Sequence, residues 1–267
     1  MNNFKKDDTL ERRHQIICKC REFFINFVVM EICKALYLLP VNLSDAPPRD
    51  VLPSANFDIM SRLKFFIVEN KKTAIRFLKK CNPAADIDAM TFYELNRHTD
   101  LKEVSSYLEP LRQGYAMGVM SDAGCPGVAD PGALAVGIAQ SEGLRVIPLV
   151  GPSSILMSLM ASGFNGQSFS FHGYLPIDGK ARERKIKELE DISRRHDVTQ
   201  IFIETPYRNG KMLSSLLSIL NRSTRLCVAA DITDPDNEFI VTKKVGEWRD
   251  VKIDIDKRPA IFLLYAR

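Results

Sequence analysis

The stretch SDAGCPGVADPG, Ser121–Gly132, sets three glycines, two prolines and two aspartates within twelve residues. Glycine admits positive φ and close approach by a neighbour, and proline stiffens a turn while removing an N–H. The combination reads as a shaped loop with accessible backbone groups. A plain turn between strand and helix would use the same residue types. The neighbours favour the shaped loop: YAMGVMSD (115–122) before it has strand character, and PGALAVGIAQSEG after it reads as a helix closed by Gly143. A loop there lies at the carboxyl end of a strand, where open α/β sheets bind ligands. No Gly-Lys-Ser/Thr follows, so it is not a phosphate-binding P-loop, and its glycines miss the dinucleotide spacing. Two carboxylates with no lysine beside them suit a ligand with an amine or cationic centre.

Outward from this loop the pattern is regular. LYLLPV, KFFIVEN (64–70), TFYEL (91–95) and RVIPLV (145–150) are short apolar runs. Between them, KKTAIRFLKKC and DLKEVSSYLEPLRQG have helical character. Apolar strands alternating with helices predict an α/β layer with a largely parallel sheet. The second half differs. PSSILMSLMASG (152–163) reads as an apolar helix, SFSFHGYLP (168–176) as a strand, and GKARERKIKELEDISRRHD (179–197) as a charged helix. TQIFIETPY, RLCVAADIT, EFIVTKKVGEW and RPAIFLLYAR follow as strands, the last three with connections short enough for antiparallel pairing. These readings divide the chain into an N-terminal helical extension (1–35) and two α/β domains (36–148 and 149–267), with a junction near PLVGPSS.

Composition bounds the rest. The chain has 267 residues, 45% hydrophobic and 26% charged, with a net charge of +4. That is ordinary for a globular protein, and mild basicity permits a nucleic-acid partner without requiring one. The six cysteines lack zinc-ligand spacing, so no metal is expected, and scattered reduced thiols fit a cytoplasmic protein. In QIICKCREFFINFVVMEICKAL apolar residues recur at helical spacing, and the uncharged part, Phe23–Met30, is far too short to span a bilayer. It reads as an amphipathic helix that docks on the body or a partner, or as sequence upstream of a start at Met30.

A second small-residue loop, VGPSS (150–154), opens the helix at 152–163. Ser153 and Ser154 could cap its N–H groups or leave those donors to a carboxylate. Taken in order, SDAGCPGVADPG, VIPLVGPSS, FSFHGYLP and IFIETPYR resemble the tetrapyrrole methylase superfamily of S-adenosylmethionine-dependent methyltransferases, over about Leu36 to Arg267. Within it, the likeness is to the branch that methylates a cytidine 2′-hydroxyl of small-subunit ribosomal RNA. The resemblance implies two α/β domains with S-adenosyl-L-methionine in the cleft between them, an RNA substrate, and a homodimer. It implies a cofactor site at Asp122, Ala123, Gly124, Cys125 (usually threonine), Pro126, Asp130, Gly151, Ser153, Ser154, Tyr174, Glu204, Thr205, Ala230, Pro259 and Ala260.

Nearly all of the departures from the family pattern fall outside the cofactor loops. VNLSDAPP keeps Asn42 but lacks the preceding glycine; ENKK keeps Glu69 but carries Asn70 and Lys72 for an acid and an arginine; YELN keeps Glu94 and Asn96 but has neither histidine. These segments are expected to face the acceptor, with Asn42, Asn96 and Arg208 binding substrate. A hydroxyl acceptor needs a proton acceptor; Glu69 and Glu94 are the candidates, with Asp45 and His98 also at strand ends. Two other readings stay open, a corrin- or porphyrin-type small-molecule methylase and a catalytically silent cofactor-binding protein.

Overall fold

The structure, a computed structural model, describes residues 32–267. The helical reading of the 1–35 extension therefore lies outside the described residues up to residue 31, and residues 32–35 are not helical. Leu36–Leu38 form β1, flanked in parallel by β4 (Met117–Met120) and β5 (Val146–Pro148). β2 (Phe65–Val68) pairs with β4, and β3 (Thr91–Glu94) with β2, again in parallel. The order is β3-β2-β4-β1-β5, so all five carboxyl ends share one edge. β4 is buried at every position, as a strand covered on both faces must be, which is why MGVM is uninterrupted apolar sequence.

Helices α1 (Pro48–Val51) and α2 (Ser54–Met60) lie between β1 and β2; neither is signalled by a long apolar period. α3 (Lys71–Cys81) starts where the Asn70 side chain accepts the Lys72 and Thr73 N–H groups, and it buries Ala74, Phe77, Leu78 and Cys81 at i, i+3, i+4, i+7. The helix expected over DLKEVSSYLEPLRQG is two, α4 (Leu101–Tyr107) and α5 (Glu109–Arg112). Pro110 has no N–H and sits in the first turn of the second piece. α6 (Gly132–Ser141) follows the Ser121–Gly132 loop.

The chain then enters α7 (Ser154–Ser162) and a second sheet of β6 (Phe169–Tyr174), β7 (Thr199–Ile203), β8 (Arg225–Ala230), β9 (Phe239–Lys244) and β10 (Ala260–Tyr265), ordered β6-β7-β10-β8-β9. Only β6 and β7 are parallel; β8, β9 and β10 pair antiparallel, as their short connections predict. The strand expected through VGEW ends at Lys244, and Val245–Asp250 is a 3₁₀ segment that buries Trp248. The period of two is plain in β8. Leu226, Val228 and Ala230 face a core with Phe202, Phe262 and Trp248, covered by α8 (Gly179–His196) and α9 (Asn209–Ile219). Cys227 and Ala229 face the opposite side with Ile201, Ile261 and Leu159 of α7. The charged helix α8 carries Lys187–Glu183 and Arg195–Asp191 pairs at i,i+4 on a solvated face, consistent with its mixed charges. The fold is thus mixed α/β in two sheets.

Candidate functional site

The loops after β1 and β4 close on each other at the carboxyl edge of the first sheet. Val41 and Gly124 exchange backbone hydrogen bonds of 2.9 and 3.0 Å. Gly124 has φ +72°, and a Cβ there would stand 3.2 Å from Leu43 and 3.7 Å from the Pro152 carbonyl. Positive φ and the close approach together require glycine. Asp130 fixes the far half of the loop, its two oxygens accepting Gly127 N–H at 2.7 Å and Gly132 N–H at 2.5 Å. The Cys125 thiol donates to the Pro152 carbonyl at 3.3 Å, tying this loop to VGPSS. In VGPSS, Gly151 is required for a different reason: a Cβ would run into Pro40. Ser153 takes the N-cap place of α7 with no side-chain hydrogen bond to the helix, so the first-turn donors are left without a side-chain cap.

Between these loops and the second sheet lies a recess of about 380 Å³, within the range of small-molecule sites. The first sheet contributes Glu69, Asp122, Ala123, Gly124, Cys125 and Asp130; α7 contributes Ser153 and Ser154; the second sheet contributes Tyr174, Glu204, Pro259 and Ala260. Those are residues read from the sequence as cofactor-binding, joined by Glu69. Pro126, Gly151, Thr205 and Ala230 belong to the same loops and strand but do not line the recess. Ala230 lies in the core on the other face of β8; its neighbour Ala229 lines the recess instead, as strand alternation dictates. Leu43, Ile155, Phe171, Ile203, Ile232 and Ile261 complete an apolar wall. Ser44 Oγ and Thr233 Oγ1 stand 3.1 Å apart, joining the loops that follow β1 and β8.

The electrostatics are acidic. Burial pushes the Glu69, Asp122 and Asp130 carboxyls up. Opposing this are the Asp122 N–H on Glu69, the Thr73 hydroxyl on Asp122, and the Gly132 and Gly127 N–H groups on Asp130. Three such carboxylates favour a cation, whose charge would stabilise their ionised forms. Glu204 is buried with Oε2 unpartnered.

The proposed substrate residues are not equivalent. Glu69 lines both the recess and an adjoining hollow with Asn70, Asn96, Arg97, His98, Asp122 and Pro131. Glu94 lines neither; its Oε1 accepts the Lys71 N–H at 2.9 Å, at the start of α3. Asn42 is buried and donates to the Ala46 carbonyl at 2.5 Å. Arg208 is tied to Glu204. Asp45 is paired with Lys80 at 2.9 Å. Among the described residues no His/Cys/Asp/Glu group could hold a metal ion, and no helix is long and apolar enough to cross a membrane.

No protein-family model matches the chain. Solved structures with the same fold are a uroporphyrin III C-methyl transferase from Thermus thermophilus (TM-score 0.52, 16% identity, 86% of this chain and 97% of that one) and the cobalt precorrin-4 methyltransferase CbiF (TM-score 0.54, 16% identity, 87% and 95%). The fold is therefore that of the tetrapyrrole methylases. In sequence, the chain is a relative of proteins named ribosomal RNA small subunit methyltransferase I. It is 31% identical over 201 residues to the one from Vibrio cholerae, covering 74% of this chain and 65% of that protein. It is 37% identical over 145 residues to the one from Bacillus subtilis, covering 54% and 48%. The chain thus spans about half to two thirds of the length of these relatives.

Proposed function

We propose that the protein is an S-adenosyl-L-methionine-dependent methyltransferase that modifies small-subunit ribosomal RNA, at a cytidine 2′-hydroxyl by resemblance. One observation carries the reading: the two small-residue loops converge, through the Cys125–Pro152 contact, on a recess lined both by carboxylates and by apolar side chains. A zwitterionic ligand with a cationic sulfur, an amine, a carboxylate and a flat purine fits that donor set. Asp122, Asp130 and Glu69 suit its cationic part, the uncapped start of α7 its carboxylate, and Phe171, Ile203 and Ile261 its ring. When bound, the cofactor supplies a methyl group on a good leaving group. The chain's task is to hold acceptor oxygen, methyl carbon and sulfur in line and to take the hydroxyl proton. Glu69 is the assigned proton acceptor: it reaches both the recess and the adjoining hollow, and burial has raised its basicity.

The two sheets are taken as two domains meeting at residues 148–149, in a cytoplasmic homodimer. Val150, Leu156 and Met160, exposed at 74%, 52% and 82%, offer an apolar face for a second copy. The test is calorimetry with S-adenosylhomocysteine, followed by transfer of labelled methyl to small-subunit ribosomal RNA. Absence of binding to folded protein overturns the cofactor assignment; binding without transfer leaves a cofactor-binding protein.

A further inference from the structure

The turn after β3 reads NRHT, Asn96–Thr99. It is held by four hydrogen bonds. Thr99 N–H donates to the Asn96 carbonyl at 3.0 Å and Asn96 N–H to Thr99 Oγ1 at 3.0 Å. His98 N–H donates to Asn96 Oδ1 at 2.9 Å, and Thr99 Oγ1 to the Glu94 carbonyl at 3.1 Å. The turn is thereby fixed, and it presents Arg97 and His98 to the hollow of about 530 Å³ that adjoins the carboxylate recess through Glu69 and Asp122. Arg97 Nε donates to His98 Nε2 at 3.1 Å. That contact places the imidazole proton on Nδ1 and leaves the outer guanidinium nitrogens for another acceptor. Among the described residues no carboxylate pairs with Arg97, although Glu69 and Asp122 line the same hollow.

From this we infer that Arg97 and His98 form an anion subsite for a backbone phosphate of the RNA segment that carries the acceptor hydroxyl. The inference rests on the methyltransferase reading and specifies its substrate side. The hollow is two-signed, with carboxylates where it meets the recess and a cation at the turn. A ribose hydroxyl and its neighbouring phosphate carry the complementary pair, a proton donor and an anion a few ångströms apart. A polycarboxylate macrocycle would set several anions against Glu69 and Asp122 with one guanidinium to meet them. Arginine is suited to phosphate because its fork donates two parallel hydrogen bonds, and such contacts position a nucleic acid rather than read its bases.

The test is fluorescence anisotropy of a short fluorescein-labelled oligocytidylate RNA over a series of salt concentrations, with S-adenosylhomocysteine calorimetry on the same preparations. Arg97→Ala is expected to weaken RNA binding about tenfold and to lower the slope of log affinity on log salt by about 0.7, one phosphate's share for a single strand. His98→Ala should weaken it about threefold by removing the second donor of the subsite. Lys211→Ala, which removes an equal charge from α9, should change neither quantity by as much. Cofactor-product affinity should match wild type in all three. No wild-type binding, an Arg97→Ala protein with wild-type affinity and slope, or displacement of the RNA by uroporphyrin at lower concentration than by unlabelled RNA would each overturn the subsite. If RNA binding depends on Arg97 while the wild type ignores S-adenosylhomocysteine, the subsite stands and the methyltransferase reading fails.

Discussion

Arg208 Nη2 lies 2.6 Å from Glu204 Oε1, and the Thr205 N–H donates to the same oxygen at 2.6 Å. The Glu204 side chain is 1% exposed and the Arg208 side chain 33%. One carboxylate of the recess is therefore held by a residue that sequence reasoning assigns to the substrate. Arg208→Met leaves a buried carboxylate without its cation, a change that costs about 3–5 kcal/mol in fully buried pairs; the partial exposure of Arg208 places the expected loss at about 3 kcal/mol or below. Urea unfolding should show a lower midpoint at unchanged m, and S-adenosylhomocysteine affinity should fall with it. A variant of wild-type stability with weakened RNA binding alone would return Arg208 to the substrate.

Gly124→Val tests the shape of the first loop. Valine at φ +72° is strained by about 1–3 kcal/mol, and its Cβ comes within 3.2 Å of Leu43. Both effects act where Gly124 bonds Val41 and lines the recess. The expected outcome is a fall in S-adenosylhomocysteine affinity of at least tenfold, with cooperative unfolding retained. Wild-type affinity by calorimetry would remove the loop from the site.

The raised carboxyls give a pH signature. Burial lifts Glu69, Asp122 and Asp130 above their ordinary values of 4.5, 3.8 and 3.8. Such groups favour the folded state fully below their unfolded values and lose that contribution as pH rises through the folded ones. A bound cation reverses the preference by stabilising the ionised forms. Affinity for S-adenosylmethionine should therefore be flat near neutral pH and fall on acidification through the raised folded values, earlier than for exposed carboxylates. Asp122→Asn should flatten that fall and lower the neutral-pH affinity; an unaltered profile would detach Asp122 from the ligand.

The residues most legible in the sequence are those whose chemistry is local. Gly124, Asp130 and Ser153 announce turns and caps by type, and their order along the chain carries the family likeness. Phe171, Ile203 and Ile261 line the same recess, yet as apolar strand residues they look like any core position. Ala230 and Ala229 differ only in which face of β8 they occupy, and one residue of register separates core from recess. Pro110 marks its helix break by the missing N–H. Arg97 and His98 carry no pattern of their own; their relation to Glu69 arises because β2 and β3 are adjacent parallel strands ending on one edge.

Glu69 and Glu94 show the same limit and supply the sharpest test. Both follow short apolar runs, and the sequence offers them equally as proton acceptors. In the structure Glu69 lines the recess, receives the Asp122 N–H at 3.3 Å and is made more basic by burial. Glu94 receives the Lys71 N–H at 2.9 Å and stands outside both hollows. Glu69→Gln keeps the shape and removes the proton acceptor, so kcat for RNA methylation should fall about 10²–10⁴-fold. Cofactor affinity should fall far less than kcat, because Asp122 and Asp130 still line the recess. Glu94→Gln keeps an acceptor for the helix N–H and should cost no more than about 1 kcal/mol of stability, with kcat close to wild type. The two variants measured together decide the assignment. Equal losses in kcat would place Glu94 in the chemistry through a movement of the α3 start, whereas no loss in either would leave positioning alone to carry the reaction.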